Sequence, residues 1–170
     1  GAEFLIQKQI QNFTAWLNYT WNHNDYKFEG YIPPQFANNF EVTHSVALAT
    51  TYEWKNFKIA LGSKWFTGRP NTIPLSETPI YNNPDTPEID YSLPNSTNLE
   101  DYFQLNFSTA YTFIVSKKSK LQLGFSIQNV LDNKNIINQF YRINQNNNAI
   151  EEVNTYSLER TPNAFLKFSF

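Results

Sequence analysis

The chain has two histidines and no cysteine, so any side-chain chemistry at neutral pH has to be built around His23 and His44. An imidazole acts as a general base or a metal ligand, and either role needs partners: a nucleophile to deprotonate, or further nitrogen, sulfur or carboxylate ligands. Both histidines fall on the apolar parity of their segments, near the ends of long loops, with no Cys or carboxylate at ligand spacing. They are read as interfacial side chains. No Gly-rich phosphate loop and no nucleophile elbow occurs, and two histidines without a poised Ser or Cys make no triad. Asp85, Glu88, Asp90, Glu100 and Asp101 bring carboxylates together in and just after one loop, and calcium takes oxygen ligands of this kind. EF-hand spacing is absent, and solvated acids account for them. The expectation is a protein that is not an enzyme, with no catalytic residue, no cofactor and no metal. A net charge of −2 offers no basic patch for nucleic acid.

The elements that would position these groups are strands. Phe103, Leu105, Phe107, Thr109, Tyr111 and Phe113 share one parity, while Gln104, Asn106, Ser108, Ala110 and Thr112 take the other. The same alternation runs from Phe40 to Trp54, from Phe13 to Asn22, from Leu121 to Gln128 and from Ala164 to Phe170. Globular strands run about five or six residues and bilayer-spanning ones about nine to eleven, so these runs reach spanning length. Mean hydropathy is −0.52, and no apolar run approaches the ~18 residues of a spanning helix. Membrane contact would therefore come from strands, whose hydrophobicity is hidden from a sliding window. Aromatics make up 17% of the chain, and Tyr19, Trp21, Tyr52, Trp54, Trp65, Tyr111 and Phe113 lie near strand ends, where a membrane barrel carries its interfacial belts. Trp16 and Phe66 take the polar parity and would pack against something inside.

Seven passes are predicted: a truncated one at 2–8, then 12–27, 39–54, 56–68, 99–115, 119–143 and 149–170. Short polar links fall at Lys8 to Asn12, Trp54 to Asn56 and Ser116 to Lys120. Long loops run from Lys27 to Asn39, from Gly68 to Asn98 with six prolines, and around Asn144 to Asn148. Short turns at one end and long loops at the other match outer-membrane barrels. Seven is odd, whereas bacterial single-chain barrels close with an even number, so further strands are expected from elsewhere. Gly1-Ala2-Glu3-Phe4-Leu5-Ile6 is no signal peptide, and the chain is read as the C-terminal piece of a longer protein.

Several segments in order resemble the C-terminal barrel region of TonB-dependent outer-membrane receptors, especially the asparagine-rich kind of Bacteroidetes. These are Phe40-Glu41-Val42-Thr43-His44-Ser45 after a Pro-bearing loop, Trp65-Phe66-Thr67-Gly68-Arg69-Pro70-Asn71-Thr72 as a loop entry, Ser126-Ile127-Gln128-Asn129-Val130-Leu131-Asp132-Asn133-Lys134, and Arg160-Thr161-Pro162-Asn163 before a terminal Phe. The pattern departs at Val130-Leu131, where Leu-Phe is commoner, and at Leu99-Glu100-Asp101-Tyr102.

The resemblance implies an all-β chain: an antiparallel transmembrane β-barrel segment of about seven strands, the C-terminal part of a 22-stranded barrel in a Gram-negative outer membrane. Residues 1–170 would be barrel wall and extracellular loops for ligand uptake, with the plug domain outside this chain. Its partners would be the rest of the same barrel and its plug, the TonB complex through the absent N-terminal part, the barrel-assembly machinery and outer-membrane lipid. A lipoprotein lid is a further partner by family analogy. Loop residues Arg69, Asn71, Tyr81, Asp85 and Tyr91 become candidate ligand contacts, and Leu166, Phe168 and Phe170 a candidate assembly signal read by strand addition. Two other classes stay open: a small eight-stranded barrel with a structural or adhesion role, and a soluble β-sandwich carbohydrate-binding module.

Overall fold

Period-two alternation folds here as antiparallel sheet, and no helix occurs among the described residues. The computed structural model describes every residue except Pro84 and Asp85. In chain order the strands are β1 (Ala2–Ile10), β2 (Phe13–Trp21), β3 (Asp25–Lys27), β4 (Gln35–Ala37), β5 (His44–Trp54), β6 (Phe57–Phe66), β7 (Pro70–Asn71), β8 (Ile80–Asn83), β9 (Thr86–Glu88), β10 (Thr97–Asn98), β11 (Tyr102–Ile114), β12 (Lys120–Gln128), β13 (Ile136–Asn144), β14 (Ala149–Tyr156) and β15 (Thr161–Ser169). Seven of them form one sheet in the order β1-β2-β5-β6-β11-β12-β15, and the others pair as ribbons, β3 with β4, β7 with β10, β8 with β9 and β13 with β14.

Register carries the alternation across the whole main sheet. Ile10, Phe13, Tyr52, Ile59, Thr109, Phe125 and Ala164 form one row through all seven strands. The next row holds Gln9, Thr14, Thr51, Ala60, Ser108, Ser126 and Asn163. Because successive side chains point to opposite faces, one face is apolar and the other polar over the full width. On the apolar face Lys8 is the single Lys, Arg, Asp or Glu in the seven strands; Glu3, Glu53, Lys58, Lys64, Lys120 and Lys167 take the other face. A one-residue slip of β5, β6, β12 or β15 would place its charges among the aromatics.

Among the described residues no second layer covers either face. Tyr102 is the one buried aromatic or aliphatic side chain of the main sheet, while Ile6 and Leu166 on the apolar face are roughly two-thirds exposed. The accessible surface is 12077 Å², against about 8,700 Å² for a compact monomer of this mass. Both edges of the sheet, β1 and β15, also lack a neighbour among the described residues. This chain makes a sheet, not a closed core.

The links confirm the two-ended pattern and correct its details. At one end β1–β2 and β5–β6 are joined by two-residue turns, with Gln11 and Lys55 in the left-handed region at φ 51° and 56°. At the other end lie connections spanning 22–43, 67–101 and 129–160. The first pass, expected at 2–8, runs to Ile10, and β1 pairs with β2 along all of Ala2–Ile10. The second pass ends at Trp21 and the third begins at His44. The passes expected at 119–143 and 149–170 are not continuous. β12 stops at Gln128, Asn129 and Asp132 turn the chain at φ 51° and 59°, and β13 and β14 pair with each other as a separate ribbon. The Asn144–Asn148 loop is only the tip of that excursion.

A fully buried asparagine fixes this corner. Asn129 Nδ2 donates to the carbonyls of Asn133 (2.9 Å) and Leu158 (3.1 Å), its Oδ1 accepts from Asn133 N (3.1 Å), and its own N–H donates to Asn106 Oδ1 (3.0 Å). Asn135 Nδ2 and Asn133 Nδ2 both donate to the Phe103 carbonyl at 3.0 Å. Asparagine suits the task because it tolerates the left-handed region and offers donor and acceptor together.

Candidate functional site

The three long connections meet in one assembly at their end of the sheet. Asn95, in the second, donates to the Ala37 carbonyl (2.7 Å) and to Asn39 Oδ1 (2.5 Å) in the first. The second and third are joined by Ile150 N–H to the Glu77 carbonyl (2.9 Å), by Asn148 Nδ2 to Tyr81 Oη (2.5 Å) and by Asn71 Nδ2 to Gln139 Oε1 (2.5 Å). Prolines and bridges such as Pro74 with Tyr91 keep the second connection extended without a continuous ladder. At its root Gly68 approaches the Leu99 carbonyl so closely that a Cβ would lie 1.7 Å from that oxygen. Asp101 Oδ1 accepts from Gly68 N at 3.1 Å and completes the root.

Arg69 and Asn71 line one cleft of about 260 Å³, together with Phe40, Asn95, Asn138 and Gln139. The Arg69 guanidinium sits 5.9 Å from the Phe40 ring centroid, within cation–π range. Tyr141 stands beside this cleft. Its hydroxyl donates to Gln139 Oε1 at 2.9 Å, its ring meets Tyr91 edge-on at 6.4 Å, and it lines a neighbouring cleft of about 460 Å³ with Leu75, Glu77 and Glu152. Burial pushes the Tyr141 phenol above its ordinary value, the charges of Glu152 and Tyr91 add to this, and the Asn71 amide opposes it. The phenol therefore stays a neutral donor. The clefts offer side-chain amides, one guanidinium and ring faces: hydrogen bonds to a polar ligand and stacking for its flat or apolar parts.

Of the five loop residues predicted as contacts, Arg69 and Asn71 share a cleft and Tyr91 joins it through Tyr141. Tyr81 lies apart, at the Asn148 tip, and Asp85 falls outside the described residues. Gln139 and Tyr141 were missed because their segment was assigned to a spanning strand; the left-handed signal in Asn129-Val130-Leu131-Asp132 is what would have released them. The acids in and after this loop do not gather: Glu88 takes Asn82, Asp101 takes Gly68, and among the described residues they form no cluster of three. His44 accepts or donates at 2.9 Å with Tyr19 Oη, as an interfacial side chain can. His23 is different. The fold sets Asp25 and Glu41 against it, carboxylates that spacing alone did not reveal.

Leu166 and Phe168 stand on the apolar face of edge strand β15, and the Phe168 and Phe170 rings lie 5.9 Å apart. Phe66, on the polar parity, stacks on Tyr102 at 4.4 Å, while Trp16 is left partly exposed. Phe165 also takes the polar parity and lies over Gly124, where a Cβ would meet its ring at 2.0 Å. A ring over a cross-strand glycine restores the packing that the glycine lacks. No family model, no curated protein and no solved structure matches this chain.

Proposed function

We propose that the chain forms part of the wall and the outer loops of a TonB-dependent outer-membrane receptor, and that its joined long connections contact the imported ligand. The observation that carries this reading is the apolar face, continuous in register over seven strands and left uncovered by the described residues. In water such a face would drive aggregation; against acyl chains it is the stable arrangement. A sandwich domain would bury one face against a second sheet, and none lies against this one among the described residues.

The polar face supports the same reading from inside. Ala49, Ala60, Gly62, Ser108 and Ser126 leave a hollow of about 310 Å³ there, room for packing against a plug. The edges at β1 and β15 are completed by further strands, because unpaired backbone groups in a bilayer cost several kcal/mol each. Leu166, Phe168 and Phe170 serve as the assembly signal. The loop assembly is a binding surface and not a catalytic one, built of amides and rings.

Two measurements test this. Tryptophan placed at Leu48 or Phe125, with the native tryptophans replaced, should be quenched by brominated acyl chains, and tryptophan at Thr51 or Ser126 should not. Equal quenching on both faces refutes the membrane orientation. The denatured intact mass of the protein from its native outer membrane should be several times 19.9 kDa and include an N-terminal plug. A mass of this chain alone refutes the receptor.

A further inference from the structure

We infer that His23, Asp25 and Glu41 form a binding site for a divalent transition-metal ion of the zinc class, which closes the base of the 22–43 connection. The inference does not depend on the receptor reading. One ligand atom from each of the three lies within 4.8 Å of the others. His23 lies two residues past β2, Asp25 opens β3 and Glu41 lies three residues before β5, so the site joins both ends of a long excursion.

Hydrogen bonding alone leaves one ring nitrogen of a neutral His23 imidazole unsatisfied. His23 Nε2 lies 3.2 Å from Asp25 Oδ2 and His23 Nδ1 lies 3.3 Å from Glu41 Oε1. A neutral imidazole has one N–H, so one of these nitrogens must point its lone pair at a carboxylate oxygen. A cation at that nitrogen turns the repulsion into coordination. Glu41 strengthens the case because it is only 5% exposed, and among the described residues no Lys or Arg ion-pairs with it or with Asp25. Buried charges are paired or coordinate metals.

Geometry and ligand type select the ion. Ligand atoms at zinc distances around a tetrahedral ion are about 3.4 Å apart, close to the two nitrogen–oxygen separations here. The third ligand closes by a turn of the His23 ring, whose side chain is 60% exposed. Imidazole with two carboxylates suits zinc and its neighbours better than calcium or magnesium, which prefer oxygen throughout. The carboxylates are already aimed. Glu41 accepts from Asn24 N and from Thr43 Oγ1, each at 3.1 Å, and Asp25 accepts from Gln35 Nε2 at 2.7 Å. Such outer partners orient metal ligands.

The test is titration of the complete protein, folded in detergent, with Zn²⁺ alone, using His23→Gln and Asp25→Asn because both positions tolerate change better than buried Glu41. The expected result is one equivalent bound, at least tenfold weaker in either variant and unchanged in His44→Gln. With ¹⁵N-labelled histidine, Zn²⁺ should shift one ring nitrogen of His23 and leave His44 in place. No uptake, equal uptake in the variants, or equal competition by Ca²⁺ would overturn the assignment. So would a His23 ring carrying both protons at neutral pH in the presence of Zn²⁺, since a proton would then satisfy the second nitrogen.

Discussion

Replacing Asn129 tests whether one side chain holds the third connection to the sheet. Asn129→Ala removes three hydrogen bonds at a position with no exposure to water. The Asn133 N–H and the Leu158 carbonyl would lose this partner, and the Asn133 carbonyl would keep only the long 3.5 Å bond from Asn135 Nδ2. At about 1 kcal/mol net for each bond, with more for a donor left unpaired, the loss is about 3–4 kcal/mol. Alanine at φ 51° adds about 1 kcal/mol that asparagine largely avoids, giving about 4–5 kcal/mol in all. Asn129→Gly keeps the backbone at ease and loses only the bonds, so it should be about 1 kcal/mol milder than alanine. Asn129→Asp retains the Oδ1 acceptor but turns an oxygen toward two carbonyls, and should be no better than alanine at neutral pH.

Amide hydrogen exchange in the folded protein reads this locally. The reporters are the Asn133 amide, bonded to Asn129, the Arg160 amide, bonded to Asp132 Oδ1 at 2.8 Å, and the Ser157 amide, bonded to the Asn135 carbonyl at 2.9 Å. A local loss of this size should raise their exchange about a thousandfold in Asn129→Ala, while β1–β2 amides stay at the parent rate. Exchange within tenfold of the parent at all three reporters would refute the corner as the anchor, and the ribbon would then be held by its loop contacts alone.

Three other perturbations probe different parts of the fold. Gly68→Ala puts a methyl into the Leu99 carbonyl, so the loop root must shift; a loss of about 3 kcal/mol and loosening of the β7–β10 pair are expected, and unchanged exchange at Leu99 N would contradict the contact. Thr109 Oγ1 is buried on the apolar face without a hydrogen-bond partner, so Thr109→Val should raise resistance to urea unfolding by about 1 kcal/mol; a loss of resistance would reveal a hidden partner. The Asn144 amide, with the Arg142 guanidinium, holds the Glu151 carboxyl below its ordinary value near 4.5, so its stabilisation of the β13–β14 tip is complete above that value and is lost as pH falls through the lowered one. Tip amides should exchange faster at pH 3 than at pH 6 after correction for intrinsic rates, and an identical pH response in Glu151→Gln would sink this account.

Much of the main sheet was legible because its signal is local. Parity along each strand fixes which side chains share a face, and a two-residue turn between strands carries that parity into the neighbour, so the apolar face could be assembled from sequence. The ends of strands were less legible. At Gln128-Asn129 two polar residues follow one another and Val130 falls on the polar parity, a break too short to separate a strand end from a bulge; the left-handed backbone at Asn129 and the distant partners Asn106 and Leu158 show that the strand has ended. The loop site was half visible for the same reason. Arg69, Asn71 and Tyr91 stand out in a proline-rich stretch, whereas Gln139 and Tyr141 reach them from a ribbon whose direction depends on that corner. His23 with Asp25 and Glu41 is a contact across a long connection, and no spacing rule within one strand can reveal it.

The asparagines explain how so much irregular chain stays ordered above an open sheet. A long loop leaves backbone groups unpaired, and with little apolar burial those groups must be satisfied by side chains or water. Asn129, Asn133 and Asn135 do this where the third connection leaves the sheet, and Asn95 and Asn98 do it between the first and second connections and at the Gly68 root. Each uses a short side chain that can donate and accept at once, so two loops are tied without building a core. The same property leaves amides facing the clefts beside Arg69 and Tyr141, where hydrogen bonds not consumed by the loops are available to a ligand. Order and recognition therefore draw on one residue type, and a substitution such as Asn95→Ala should weaken both: faster exchange at the Asn38 and Leu99 amides, bonded to the Asn24 and Arg69 carbonyls, together with weaker ligand binding. Loss of one without the other would separate the scaffold from the binding surface and place the ligand elsewhere.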